Sequence, residues 1–126
     1  MINFFLISIV VTFIVVRFWA YFIYKSNNYF DELENPRTLV GWLRIKTGFD
    51  WRHVHFGVLI FFADSLLIYA NGFTALNSIL LGIGASMTLD QIFPLIGNWD
   101  YFSRKMLIMS VLLHLIAILV WIKIFY

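Results

Sequence analysis

Residues 50–70 read DWRHVHFGVLIFFADSLLIYA, and this stretch decides how the chain must fold. A start rich in charged and imidazole groups gives way to a run from Val54 to Ala70 in which almost every residue is apolar. A run of this length matches an α-helix that crosses the hydrocarbon core of a bilayer, which is about 30 Å thick. We therefore predict a transmembrane helix over about 53–70, with its polar start where water meets lipid.

Three further apolar runs are long enough to cross a membrane. The Asn71-Gly72 pair is a turn signal, so the next helix follows at once as an antiparallel neighbour. The sequence therefore predicts an all-α membrane protein: a single transmembrane domain over 1–126, folded as an antiparallel bundle of four transmembrane helices. We place these helices at about 2–24, 53–70, 73–95 and 106–125.

The composition supports a membrane protein and excludes several kinds of function. Hydrophobic residues make up 62% of the chain and charged residues 13%, against roughly a quarter charged in soluble domains. The absence of cysteine excludes disulfides, thiolate chemistry and cysteine-ligated metal sites. A formal charge of +2 is too small to indicate nucleic acid, so the lipid bilayer is the expected partner.

A short amphipathic helix is predicted between the first two spanning helices, over about 36–47. Asn35 can cap it, Pro36 suits its first position, and Gly48 can end it. This pattern is typical of a helix lying in the membrane interface, although a packed connector helix fits it nearly as well. The apolar residues that share one face are Leu39, Trp42 and Leu43.

The distribution of lysine and arginine predicts the orientation. Four spans place both termini on one side, where Lys123 is the only basic residue near a helix end. Loops with an excess of lysine and arginine face the cytoplasm. We therefore predict a multi-pass protein of the cell membrane with both termini outside and the loops 25–52 and 97–105 in the cytoplasm. The seven basic residues of these loops are Lys25, Arg37, Arg44, Lys46, Arg52, Arg104 and Lys105.

Several polar residues fall inside the apolar runs, where an isolated ionisable group is costly and needs a partner, a cavity or a function. At about 1.5 Å per residue, Arg17 and Asp90 lie near the cytoplasmic edge, while Asp64 and His114 lie at mid-depth. Arg17 can extend to the headgroups or pair with an acid on another helix. We predict a buried polar network drawn from Arg17, Asp64, Ser86 and His114.

His53, His55 and Asp90 are the candidate ligands of a divalent metal ion, the one cofactor that the sequence suggests. His55 points about 200° away from His53 in a regular helix, so the pair converges only if the helix starts late. A linkage of Asp90 to at least one of the two imidazoles is expected. Two alternatives stay open: the histidines cap the helix or contact headgroups, or a relay of protons or ions runs through Asp90, His114 and Asp64.

Small residues occupy the middle of the third spanning helix. Such residues let another helix approach closely. We predict that Gly82, Ala85 and Ser86 face another helix at close range. The second spanning helix is the favoured partner, because Gly72 leaves little slack between the two.

Two segments of the chain, TGFDWRHVHFG at 47–57 and LGIG at 81–84 followed by LDQ at 89–91, resemble a group of uncharacterised small prokaryotic membrane proteins. That group has a histidine-rich helix start and, on the next helix, a Gly-x-Gly pattern followed by Asp-Glu. Arg52 stands where the group has its leading histidine, and Gln91 where it has the glutamate. The resemblance implies that the two helices pair, and both departures weaken the metal site. It implies no activity.

Function is predicted only in outline. The favoured hypothesis is an accessory or structural subunit of a larger membrane complex, with other membrane subunits or further copies of the chain as partners. The alternative is a metal-binding membrane protein or small membrane enzyme that uses His53, His55 and Asp90. A transporter or channel would need an oligomer. Phosphate-binding loops and nucleophile motifs are absent from the sequence, so no catalytic residue is predicted and enzymatic activity is left open.

Overall fold

The structure is a computed structural model that describes residues 2–25, 39–48, 52–97 and 101–125. Within these ranges the regular structure is entirely helical. The helices are α1 (Ile2–Lys25), α2 (Leu39–Thr47), α3 (His53–Asn71), α4 (Ala75–Gly97) and α5 (Arg104–Phe125).

Four of these helices, α1, α3, α4 and α5, are long and apolar enough to cross a membrane. The short helix α2 lies between the first two of them in the chain. The predicted fold class is therefore confirmed. Residues 36–38 of the predicted interfacial helix lie outside the described residues, as do 26–35, 49–51 and 98–100 of the predicted loops.

Polar side chains and glycines set the helix ends. The α4 helix begins at Ala75, two residues later than predicted, because the Thr74 hydroxyl accepts a hydrogen bond from the backbone N–H of Asn77 at 3.2 Å. Gly72 ends α3 with a φ of 78°, and its N–H donates to the carbonyl of Ile68 over 2.8 Å. This left-handed conformation suits glycine and makes the sharp turn into α4 possible.

The central helix of the bundle is α4. It packs against α3 on one side and against α1 and α5 on another, while α1 also touches α5. Successive residue contacts set the directions. Positions 82 and 90 of α4 meet positions 5 and 17 of α1, whereas positions 86 and 90 meet positions 114 and 110 of α5. Positions 84 and 88 of α4 meet positions 61 and 57 of α3. The α1 helix therefore runs parallel to α4, and α3 and α5 run antiparallel to it.

Glycines allow α4 to approach two different neighbours. A Cβ atom on Gly84 would lie 2.7 Å from the backbone nitrogen of Phe61, and one on Gly57 would lie 2.8 Å from that of Thr88. These two glycines therefore bring α3 and α4 together. A Cβ atom on Gly82 would lie 2.9 Å from the carbonyl oxygen of Phe5 in α1.

Gly82 and Ser86 do face other helices closely, as predicted, but the favoured partner, α3, was wrong. Gly82 faces α1, and Ser86 bonds to His114 of α5. Ala85 packs against the buried apolar cluster of Phe5, Ile9 and Leu81. The reason is rotational: at about 100° per residue, positions 82 and 84 point in nearly opposite directions, and only Gly84 points to α3.

Aromatic rings close the end of the bundle where α1 begins and α5 ends. The rings of Phe5 and Trp121 stack with their centroids 3.8 Å apart. Phe73 lies 5.8 Å from Trp121, and Phe125 lies 4.3 Å from it. The ion pair of Arg17 and Asp90 lies toward the opposite end of the bundle.

Candidate functional site: a buried polar network

Asp90 is the centre of the polar network. Its carboxylate is fully buried and accepts hydrogen bonds from three other parts of the chain. Arg17 Nε donates to Oδ1 over 2.6 Å, and Ser110 Oγ donates to the same oxygen over 2.6 Å. The hydroxyl of Tyr101 donates to Oδ2. Both carboxylate oxygens are thus occupied, and α1, α4, α5 and the turn before α5 are joined at one residue.

Arg17 pairs with an acid of another helix, which is one of its two predicted alternatives. Its side chain is 15% exposed and that of Asp90 is 0% exposed, so the ion pair is almost completely shielded. Arg17 Nη1 also donates to the carbonyl oxygen of Tyr101 over 3.0 Å, and the guanidinium lies 4.2 Å from the centroid of the Tyr101 ring. A cation over an aromatic face gains further electrostatic attraction. The positive charge of Arg17 is therefore paired with Asp90 and with the Tyr101 ring inside the bundle.

Tyr101 lies in the turn three residues before Arg104, where α5 begins, and its hydroxyl completes the network. Burial, and then the negative charge of Asp90, raise the pKa of its hydroxyl above the ordinary value of 10.0. The hydroxyl therefore stays protonated under ordinary conditions and remains a hydrogen-bond donor to Asp90.

A second contact joins α4 and α5 one turn away. His114 Nδ1 lies 2.8 Å from the backbone carbonyl oxygen of Ser110, which can only accept, so Nδ1 is the donor. In the neutral ring Nε2 then accepts, and Ser86 Oγ lies 2.9 Å from it. The ring is also packed against Phe13 of α1, with centroids 4.4 Å apart. His114 therefore links the same three helices as Asp90.

Two of these partners, Tyr101 and Ser110, were not in the predicted network. The signal for Ser110 was present in the sequence, because Ser86 and Asp90 are four residues apart on α4, and Ser110 and His114 are four apart on α5. Residues at this spacing share a helix face. When two such helices pack antiparallel, each polar residue meets the complementary one, as Asp90 meets Ser110. Tyr101 lies in a loop, where spacing gives no such signal.

The three candidate metal ligands each have other contacts. His55 Nδ1 accepts a hydrogen bond from the backbone N–H of Arg52 over 2.9 Å and so caps the start of α3. His53 Nδ1 accepts from Gln91 Nε2 over 3.3 Å, and Asp90 bonds to Arg17, Tyr101 and Ser110. Within the described ranges, no group of three or more His, Cys, Asp or Glu side chains could hold a metal ion.

Asp64 stands apart from the network in which it was predicted. It lies in α3, its exposure is 1%, and neither carboxylate oxygen has a hydrogen-bond partner among the residues that the structure describes. Of the four predicted residues, Arg17 pairs with Asp90, Ser86 bonds to His114, and Asp64 has no hydrogen-bond partner within the described ranges.

The chemistry open to this arrangement is limited by burial. A serine that donates to a histidine is the arrangement of an activated nucleophile. Ser86 is 1% exposed and His114 is 5% exposed, so a substrate could reach the Ser86 oxygen only if the helices separated. In the closed bundle, Ser86 and His114 act as a hydrogen-bonded contact between helices.

Comparison of the chain with protein-family models, with curated proteins and with solved structures gives no match.

Proposed function

We propose that the chain is a small structural or accessory subunit that stabilises a larger complex within the membrane. The observation that carries this proposal is that both carboxylate oxygens of Asp90 accept hydrogen bonds, from Arg17, Tyr101 and Ser110. A catalytic or metal-binding carboxylate must be reachable by substrate or metal, whereas this one is fully buried and its bonds join helices. The polar groups of the spanning helices thus serve mainly to hold the chain in one shape.

The outer surface fits the same proposal. Large apolar side chains cover the outward faces of the spans, and on α3 they include Leu59, Phe62 and Leu66 at 54%, 64% and 56% exposure. Lipid and apolar helices of other membrane proteins can both cover such a surface. Partners in the proposal are therefore other membrane subunits or further copies of this chain.

The experiment is a mass measurement on particles taken from the native membrane. We expect tagged chain, extracted in mild detergent, to elute in a particle of fixed composition and of larger protein mass than one chain of 14.9 kDa. Chain produced in an unrelated host supplies the reference for the isolated form. A particle from the native membrane that contains one chain and no other protein would overturn the proposal.

Two variants separate a structural role from a chemical one. Ser86→Ala removes the hydroxyl that a nucleophilic role requires, and His55→Ala removes a candidate metal ligand. We expect both variants, when folded, to assemble into the same particle. We also expect each variant to replace the unmodified chain in cells without a change of phenotype. Loss of the phenotype with an intact particle would indicate chemistry at the substituted residue.

The alternative function, a metal-binding protein or small membrane enzyme built on His53, His55 and Asp90, is supported less well by the described contacts. It requires Asp90 to release Arg17 and the histidines to turn from Gln91 and from the backbone of Arg52. Elemental analysis of purified protein tests it, since a stoichiometric divalent metal that is lost in His53→Ala would favour this alternative.

A further inference from the structure

Two aspartates lie in the spanning helices, and their surroundings are opposite. Asp90 of α4 is 0% exposed and accepts hydrogen bonds from three donors, of which one is the cation of Arg17. Asp64 of α3 is 1% exposed, and neither of its oxygens has a partner within the described residues. The same side chain is therefore neutralised in one place and left isolated in the other.

The position of Asp64 makes this isolation costly. It lies eleven residues after His53, where α3 begins, and seven before Asn71, where the helix ends. At about 1.5 Å per residue, it is roughly 16 Å from one end and 10 Å from the other, which places it well inside the hydrocarbon layer. An unpaired carboxylate ion at this depth loses its hydration without compensation.

The surrounding helices supply no counter-charge among the residues that the structure describes. The α3 helix packs against α4, whose one titratable side chain is Asp90, and Asp90 is itself an acid paired with Arg17. On α3 the other titratable groups are His53 and His55, at the far end of the helix, and Tyr69, which is 91% exposed. A carboxyl group in this position is tolerated in its neutral form, which leaves dipoles unpaired but no charge.

We propose that Asp64 is a proton-binding site in the middle of the membrane, occupied by one proton at neutral pH and located in the contact between α3 and α4. The ligand is a proton, and the group that holds it is the Asp64 carboxyl. The inference is independent of the proposed structural role, since it concerns a residue outside the network that joins the helices.

Infrared spectroscopy tests the proposal directly. Chain labelled with ¹³C in the aspartate carboxyl carbons is placed in lipid vesicles at pH 7, where an unperturbed aspartate of pKa about 3.9 is ionised. We expect an isotope-sensitive carbonyl band of a protonated carboxylic acid, and we expect Asp64→Asn to remove that band completely. The variant should fold as the unmodified chain does, because an amide replaces a neutral acid of similar shape. A spectrum without the band, or a band that Asp64→Asn leaves unchanged, would overturn the proposal.

A second measurement covers the case in which Asp64→Asn does not fold. Dicyclohexylcarbodiimide, a membrane-soluble reagent, adds a protonated carboxyl group across its C=N bond and leaves an adduct that contains the whole reagent. Peptide mapping of the labelled, unmodified chain should find this adduct on Asp64, with at least ~10-fold less on Asp90, which is the internal control. Equal labelling of the two aspartates, labelling of Asp90 alone, or no adduct on α3 would contradict the proposal.

Discussion

Arg17 Nε lies 2.6 Å from Asp90 Oδ1, and this contact joins residues that are 73 positions apart in the chain. It links the first spanning helix, α1, to the third, α4. A buried pair of this kind gives little net stability over a well-packed apolar core, but removal of one partner leaves an uncompensated charge. The pair therefore fixes how α1 and α4 can be arranged.

Tyr101→Phe should destabilise the fold by about 1.5–3 kcal/mol, because a hydrogen bond to a charged acceptor is lost while the ring over Arg17 remains. Unfolding in detergent measures this loss. The control is Phe102→Leu, which changes a neighbouring ring that is 38% exposed and should cost less. Equal losses in the two variants would show that the hydroxyl is not bonded to Asp90.

The same tyrosine predicts a dependence on pH. Its pKa is raised in the folded chain above 10.0, so the folded state holds the phenolic proton more tightly than the unfolded state does. The stabilisation is therefore present in full below pH 10 and is lost as the pH rises above it. Unmodified chain should lose stability above pH 10 more steeply than Tyr101→Phe. Parallel curves would contradict the assignment.

Ser86→Ala should cost about 1–3 kcal/mol, because it leaves His114 Nε2 buried without its donor. Ser65→Ala is a matched control, since Ser65 bonds to the carbonyl of Phe61 in its own helix and its loss should cost less than about 0.5 kcal/mol. Chemical unfolding measures the loss of unfolding free energy in both variants. A loss in Ser65→Ala as large as that in Ser86→Ala would argue against the pair between α4 and α5.

Gly82→Ala should destabilise the fold by about 1–3 kcal/mol through overpacking, because the added methyl group meets Phe5 O and the side chain of Ser8. Combining it with Ser8→Ala removes the oxygen nearest to the new methyl group and should recover part of the loss. Thermal unfolding of the single and double variants measures both effects. Normal stability of Gly82→Ala would mean that α1 does not approach α4 at this residue.

The orientation of the chain can be tested with single cysteines, because the sequence contains none. The seven-to-one distribution of lysine and arginine in the loops predicts that an impermeant thiol reagent added to intact cells labels Asn71→Cys and leaves Lys46→Cys unlabelled. Both positions are exposed. Labelling of Lys46→Cys alone would reverse the orientation.

The spanning helices could be predicted from sequence because only an apolar segment of sufficient length can cross a bilayer with its backbone satisfied. The pairing of Arg17 with an acid was one of two alternatives, and depth alone pointed to Asp90. The contacts of Gly82 and Ser86 depend on the rotation of α4 about its axis, and that rotation is set by three neighbours at once. The role of Tyr101 depends on the path of a loop, which no periodicity describes.

For the candidate metal site, too, the sequence gives the depth of each residue but not the direction of its side chain. Proximity of His53, His55 and Asp90 in depth suggested a cluster, but depth does not specify direction. His55 turns back to the backbone of Arg52, and His53 meets Gln91, the residue next to Asp90. The resemblance to small prokaryotic membrane proteins with a histidine-rich helix stays a prediction.

The central claim, that the Asp90 network is a structural joint between helices, is tested most directly by a double-mutant cycle between Arg17 and Asp90. Arg17→Gln and Asp90→Asn should each reduce the free energy of unfolding by about 3–5 kcal/mol, because each leaves one buried charge without its partner. The double variant should lose less than the sum of the two single losses, with a coupling energy of up to about 3 kcal/mol. Additive losses in the double variant, measured by reversible unfolding in detergent, would contradict the claim.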